Sequence, residues 1–196
     1  MSYQGRSGIV EEAARIVCVE LVTDYGQAKR RAAQRLGLPS QAGLPDNAAV
    51  HAAVLDYLRL FGGDEYRRRL RQMRSTALSA MRMLAAYSPR LAGATLSGAV
   101  TAAHRVQLHL FAESAEAVDI ELLNRGVAFE HGERRYRYAD GGERNVPLLR
   151  LDVGGVGVDA AVFAPDDLRR APLSPLDGRP FRRADLAEVE RLLESG

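Results

Sequence analysis

The chain has one cysteine, one lysine and no tryptophan. A lone Cys18 excludes an internal disulfide and any zinc site built from a cysteine cluster. Lys29 stands alone among 27 basic side chains. With the abundant alanine, that arginine bias fits a GC-rich genome better than a chemical requirement. Long apolar runs are also missing. None approaches the roughly 20 residues that cross a bilayer as a helix. Met1 to Val10 lacks the basic start and apolar core of a signal peptide. The expectation is a soluble cytoplasmic protein with no membrane partner. A dominant charge sign is absent too, with 27 basic against 25 acidic residues and a net charge of +2. The isoelectric point of about 8.9 is only mildly basic. No global field demands nucleic acid or an anionic surface.

What remains is an ordinary globular composition, 46% hydrophobic and 27% charged. Its 196 residues suit one domain with a helical extension and are enough to bury a sizeable core. Ile9 to Leu36 has helical periodicity, with Gly26 as a possible break and Gly37 and Pro39 as the stop. A loop covers Gln41 to Pro45. Asp46 or Asn47 caps a second helix to Phe61, which Gly62-Gly63 ends. Asp64 caps a third helix running to about Tyr87, with Leu70, Met73, Ala77, Met81 and Leu84 as its apolar stripe.

After Pro89 the pattern changes. Ala94 to Val100 reads as a short strand broken at Ser97-Gly98. Val106 to Phe111 alternates at strand period, and Ser114 caps a helix to Leu123. Val127–Phe129 and Arg134–Tyr138 read as short strands on either side of His131-Gly132. Val146–Val153 and Val156–Phe163 flank Gly154-Gly155, a hairpin signal because such a turn needs positive φ. A proline-bearing loop over 165–180 precedes a last amphipathic helix, Ala184 to Leu193. The layout is α+β, with an N-terminal helical region over 1–90 and an α+β domain over 91–196.

Leu96-Ser97-Gly98, the strand Arg105 to Leu110 and the strand Val156 to Val162 together resemble a diverged polymerase-β-type nucleotidyltransferase core. That family has a Gly-Ser turn after its first strand, Asp-x-Asp on the second and a third carboxylate on a later strand. The resemblance puts Ser97 and Gly98 at the substrate-binding turn. It puts Gln107 and His109 where the paired aspartates belong, with Asp159 as the matching carboxylate. It implies a nucleotidyltransferase-like mixed sheet with flanking helices. Magnesium is implied as cofactor only if the chain is active. The stretches Val106–Ser114 and Leu173–Leu193 also resemble small bacterial proteins with no established activity.

The departures carry chemistry. Nucleotidyl transfer uses two divalent ions about 3.5–4 Å apart, and magnesium wants hard anionic oxygens. Gln107 offers a neutral carbonyl and His109 a nitrogen. Strand alternation still sets both on one face. The reading is therefore a fold member degenerate at its metal site, working by binding a protein or nucleotide ligand. The first alternative is an active enzyme with relocated carboxylates at Glu113, Asp119 or Asp152. The second is a nucleic-acid-binding module using the arginine-rich helix, with Arg67, Arg68 and Arg71 on phosphates.

Each motif also has a structural reading. A tight turn at Gly154-Gly155 sets Arg150 opposite Asp159, a cross-strand pair worth about 0.2–1 kcal/mol. His104 and His109, five residues apart, cannot share a strand face. His109 with Asp159 is only half a zinc site. His51 and His131 have no partner at ligand spacing. Ser97 is not in a Gly-x-Ser-x-Gly elbow, and Gly154 to Gly157 is not a phosphate loop. Cys18 falls among apolar helix positions, where a buried thiol is inert. Tyr136 and Tyr138 share one strand face, as either a stacking surface or an amphipathic edge.

Overall fold

The structure is a computed structural model that describes residues 3–38 and 43–194. Its fold is α+β. The contacts divide the chain into two compact units, one of 1–69, 98–104 and 175–178, the other of 70–97, 105–174 and 179–196.

The first unit is helical. The expected helix over 9–36 is two helices, α1 (Tyr3–Val19) and α2 (Tyr25–Arg35). The break falls before Gly26, at residues 20–24. Leu21 adopts φ 59 there, and the Asp24 carboxylate caps α2 by accepting from Gln27 N–H. A satisfied N-cap outweighs the modest cost of one glycine within a helix. The expected stop at Pro39 and loop start at Gln41 fall outside the described residues. Asp46 caps α3 (Asn47–Phe61), accepting from Ala49 N–H at 2.7 Å. Ile9, Ile16 and Val17 from α1, Ala28 and Ala32 from α2, and Val50 and Val54 from α3 form one fully buried cluster. Gly62 closes α3, and Gly63, at φ 55, leads directly into α4 (Gly63–Met83).

The second unit takes α4 from Leu70 onward. That helix stops earlier than Tyr87. A 3-10 turn over Ala85–Tyr87 follows, and Ser88 in the left-handed region ends it. A five-stranded sheet comes next, in the order β1-β2-β5-β4-β3. Its strands are β1 (Arg90–Ala92), β2 (Val106–Phe111), β3 (Phe129–Arg137), β4 (Glu143–Val153) and β5 (Val156–Phe163). Only β2 and β5 pair in parallel.

Two expectations are corrected here. Residues 94–100 are not a strand. The strand is β1, which Gly93 ends at φ 69, and Gly93–Ser97 form the short helix α5. Nor do two short strands flank Gly132. β3 runs through it unbroken, held by a continuous register from Phe129↔Leu151 to Arg137↔Glu143. The Arg150 guanidinium lies where a Gly132 side chain would reach, 3.5–3.6 Å from an ideal Cβ, and covers the missing side chain. The hairpin stands as expected. Val153 pairs with Val156 around Gly154-Gly155, whose φ angles are 63 and 80.

One sheet face carries Leu91, Leu108, Leu110, Leu149, Val158, Ala160 and Val162, all buried, and α6 (Ala115–Asn124) buries Val118 and Leu122. His131 on that face donates from Nε2 to the Asp119 carboxylate of α6 at 2.8 Å. The chain ends in α7 (Leu186–Glu194), which buries Val189.

Candidate functional site

The opposite sheet face holds the residues singled out from the sequence. Parallel register sets Gln107 beside Asp159, His109 beside Ala161 and Phe111 beside Phe163. Alternation then puts Gln107, His109 and Asp159 on one face of two neighbouring strands. This face has a polar end and an aromatic end.

Asp159 centres the polar end. It is nearly buried, and both its carboxylate oxygens are engaged. Arg105 Nε donates to Oδ1 at 2.6 Å and Arg134 Nη2 to Oδ2 at 3.1 Å. Arg150 is opposite in register, as the hairpin required, yet it makes no ion pair with Asp159. Arg105 comes from two residues before Gln107, in the same strand phase. Its Nη2 also donates to the Leu151 and Val158 carbonyls at 3.1 and 3.2 Å. Gly157 leaves it room, because a side chain there would collide with the guanidinium. Gln107 lies against Gly93, where a Cβ would collide with its amide.

His109 centres the aromatic end and is fully buried. Tyr136, Phe163 and Phe181 surround it, with ring centroids at 5.6, 4.7 and 5.3 Å. Arg183 Nε donates to Nδ1 at 2.9 Å. An arginine only donates, so Nδ1 is an acceptor and the ring is neutral with its proton on Nε2. That nitrogen lies 3.5 Å from the Tyr136 hydroxyl. Burial, then the charges of Arg183 and Arg134, push the His109 pKa down to about 3. Arg183 itself lies against the Phe111 and Phe163 rings and donates from Nη1 to the Asp167 carbonyl at 2.7 Å. Its Nη2 is buried with no hydrogen-bond partner among the described residues. The segment bearing Phe181 and Arg183 is tied down by Leu173 N–H to the Arg137 carbonyl and Phe181 N–H to the Pro172 carbonyl. His109 is thus a satisfied core side chain, closed off from ligands by Phe181 and Arg183.

The remaining sequence assignments scatter. Ser97 ends α5, its hydroxyl 3.3 Å from the Ala94 carbonyl. Gly98 accepts from the Tyr66 hydroxyl through its carbonyl at 2.9 Å. The turn that directly follows the first strand is Gly93-Ala94, not Leu96-Ser97-Gly98. Glu113 is exposed beyond β2, Asp119 is against the other sheet face, and Asp152 accepts from Gly155 N–H in the hairpin. Arg67 pairs with Asp64 and Arg69 with Glu65, while Arg68 and Arg71 are exposed. Arg74 bonds the Thr95 and Leu192 carbonyls. Tyr136 and Tyr138 are buried, so they offer no stacking surface. Burial pushes the Cys18 thiol up to about 11, away from reactivity. His104 Nδ1 accepts from Thr101 N–H at 3.0 Å, and burial lowers its pKa to about 4. His51 meets the Tyr25 hydroxyl at 2.8 Å.

Sequence reasoning missed Arg105, Arg134, Phe181 and Arg183. The first two were legible by strand phase, two positions from Gln107 and from Tyr136. Arg183 was not, since it reaches His109 across 74 residues of chain.

The donors do not fit a pair of magnesium ions. Gln107 is neutral, His109 is closed off, and both Asp159 oxygens already serve arginines. Among the described residues no group of three or more His, Cys, Asp and Glu side chains could hold a metal ion. No family model matches the chain, and no curated protein matches it.

Proposed function

We propose that this chain is a nucleotidyltransferase-fold protein that has lost metal-dependent transfer and works by binding a nucleotide-type ligand. The observation that carries the reading is the pairing of Gln107 with Asp159 in parallel register on one sheet face. The short strand, glycine turn and helix that precede β2 support it. Two guanidinium groups on Asp159 supply positive charge where the resemblance implies metal ions. Fold analogy alone does not license an activity, so the claim rests on that face.

Calorimetric titration with nucleoside triphosphates, with magnesium and with excess EDTA, tests it. Binding of similar strength in both conditions, with no nucleotidyl transfer to nucleic-acid or protein acceptors, is the expected result. A complex that needs magnesium and is abolished by Asp159→Ala would overturn the reading and favour an active enzyme. Absence of nucleotide binding in both conditions would overturn it as well.

A further inference from the structure

We propose that Arg105, Arg134 and Arg150 form a metal-independent subsite for a phosphoryl dianion, with Asp159 as their internal counter-ion. This deepens the binding reading above and rests on it only for the assignment of the face. Arg105 is oriented before any ligand arrives. Two backbone carbonyls and Asp159 fix its plane. Arg134 places one Nη on the other Asp159 oxygen. Arg150 stands opposite Asp159 in register and lies over Gly132. Among the described residues it has no ion pair, although Glu130 is its cross-strand neighbour. Two guanidinium groups thus hold one carboxylate, and a third, that of Arg150, lies on the same face over Gly132.

Two other carboxylates carried by the strands share this face, and they limit the field. Glu130 is one strand further out, at the sheet edge. Asp152 is one pleat beyond Arg150, committed to the Gly155 turn. Neither pairs with Arg105, Arg134 or Arg150, so the surplus positive charge is local to Asp159. A planar guanidinium engages phosphate oxygens through two parallel donors, and Arg150 has both free. The side chains of Arg105 and Arg134 are 42% and 34% exposed, so the cluster faces solvent and a ligand need displace only water.

The test uses the full chain with inorganic phosphate and pyrophosphate as probes, in EDTA, at ionic strength fixed with sodium chloride. Phosphorus NMR line broadening and calorimetry read the binding. Saturable binding is expected, weakened about tenfold by Arg150→Gln, the low end for losing a charge-assisted hydrogen bond. Arg134→Gln should act in the same direction. Asp159→Asn removes the competing charge and should tighten binding severalfold. If that variant does not fold, Arg150→Gln decides alone, because it touches an exposed side chain. No phosphate binding by the wild type, or binding indifferent to Arg150→Gln, overturns the subsite. Phosphate binding without nucleotide binding keeps the subsite while overturning the nucleotide reading. Nucleotide binding unaffected by Arg150→Gln, with no phosphate binding, does the reverse.

Discussion

Gly93→Ala isolates the contact that seats Gln107. Gly93 has φ 69, a region that costs a side-chain-bearing residue about 1–2 kcal/mol. An alanine Cβ there would also collide with the Gln107 amide. The atoms struck are the end of a flexible side chain, so the collision costs only the rotamer shift that relieves it, about 0.5–1.5 kcal/mol. Alanine restricts the unfolded chain and returns about 0.4–1 kcal/mol. The expected net loss is about 0.5–3 kcal/mol. Gln107→Ala removes the collision but leaves the φ cost. The double variant should therefore recover about 0.5–1.5 kcal/mol relative to Gly93→Ala, a coupling typical of residues in contact. Hydrogen exchange at the β1 and β2 amides, with urea denaturation followed by circular dichroism, measures it locally. A Gly93→Ala loss below about 0.5 kcal/mol, or no recovery in the double variant, would refute the argument.

The depressed pKa of His109 predicts acid sensitivity. The unfolded ring takes up its proton near 6.5 and the folded ring only near 3. Its stabilisation is therefore complete above pH 6.5 and is lost as pH falls toward 3, by at most about 1.4 kcal/mol per pH unit. His104 acts in the same direction. His109→Gln should flatten stability against pH between 6.5 and 4, and an unchanged slope in urea titrations would contradict this. Replacing Arg67, Arg68 and Arg71 by glutamine should shift stability by no more than about 0.5 kcal/mol. The wild type should show little affinity for single or double strands at moderate salt. Binding with a log–log salt slope of about −0.7 to −0.9 per phosphate that flattens in the triple variant would instead assign the helix to nucleic acid.

Local signals were readable where local physics decides. Asp46 marks a cap, Val106 to Phe111 alternates, and Gly154-Gly155 demands positive φ, and each element formed at that place. The errors arose where a distant strand or a single backbone angle decides. Gly93 was invisible as a strand end because its role depends on Gln107 lying across it. Gly132 read as a break because nothing local announces that Arg150 covers it. For the site, alternation set Gln107 and His109 on one face, and the parallel register then sets Asp159 beside Gln107. Alternation could not tell that Arg183 and Phe181 close over His109, or that Arg105 rather than Arg150 takes the Asp159 charge.

The division of the chain into two interleaved units has a consequence during synthesis. The chain crosses from one unit to the other at five points, the last between 178 and 179. Ala99 belongs to the same buried cluster as Ile9, and Asn47 Nδ2 donates to the Pro175 carbonyl. The helical unit therefore lacks its final pieces until residue 178 has left the ribosome. At elongation rates of about 5–20 residues per second, the wait after residue 69 is roughly 5–20 s. Throughout that interval Val50, Val54 and Leu58 face an unfinished core. Such non-local closure slows folding.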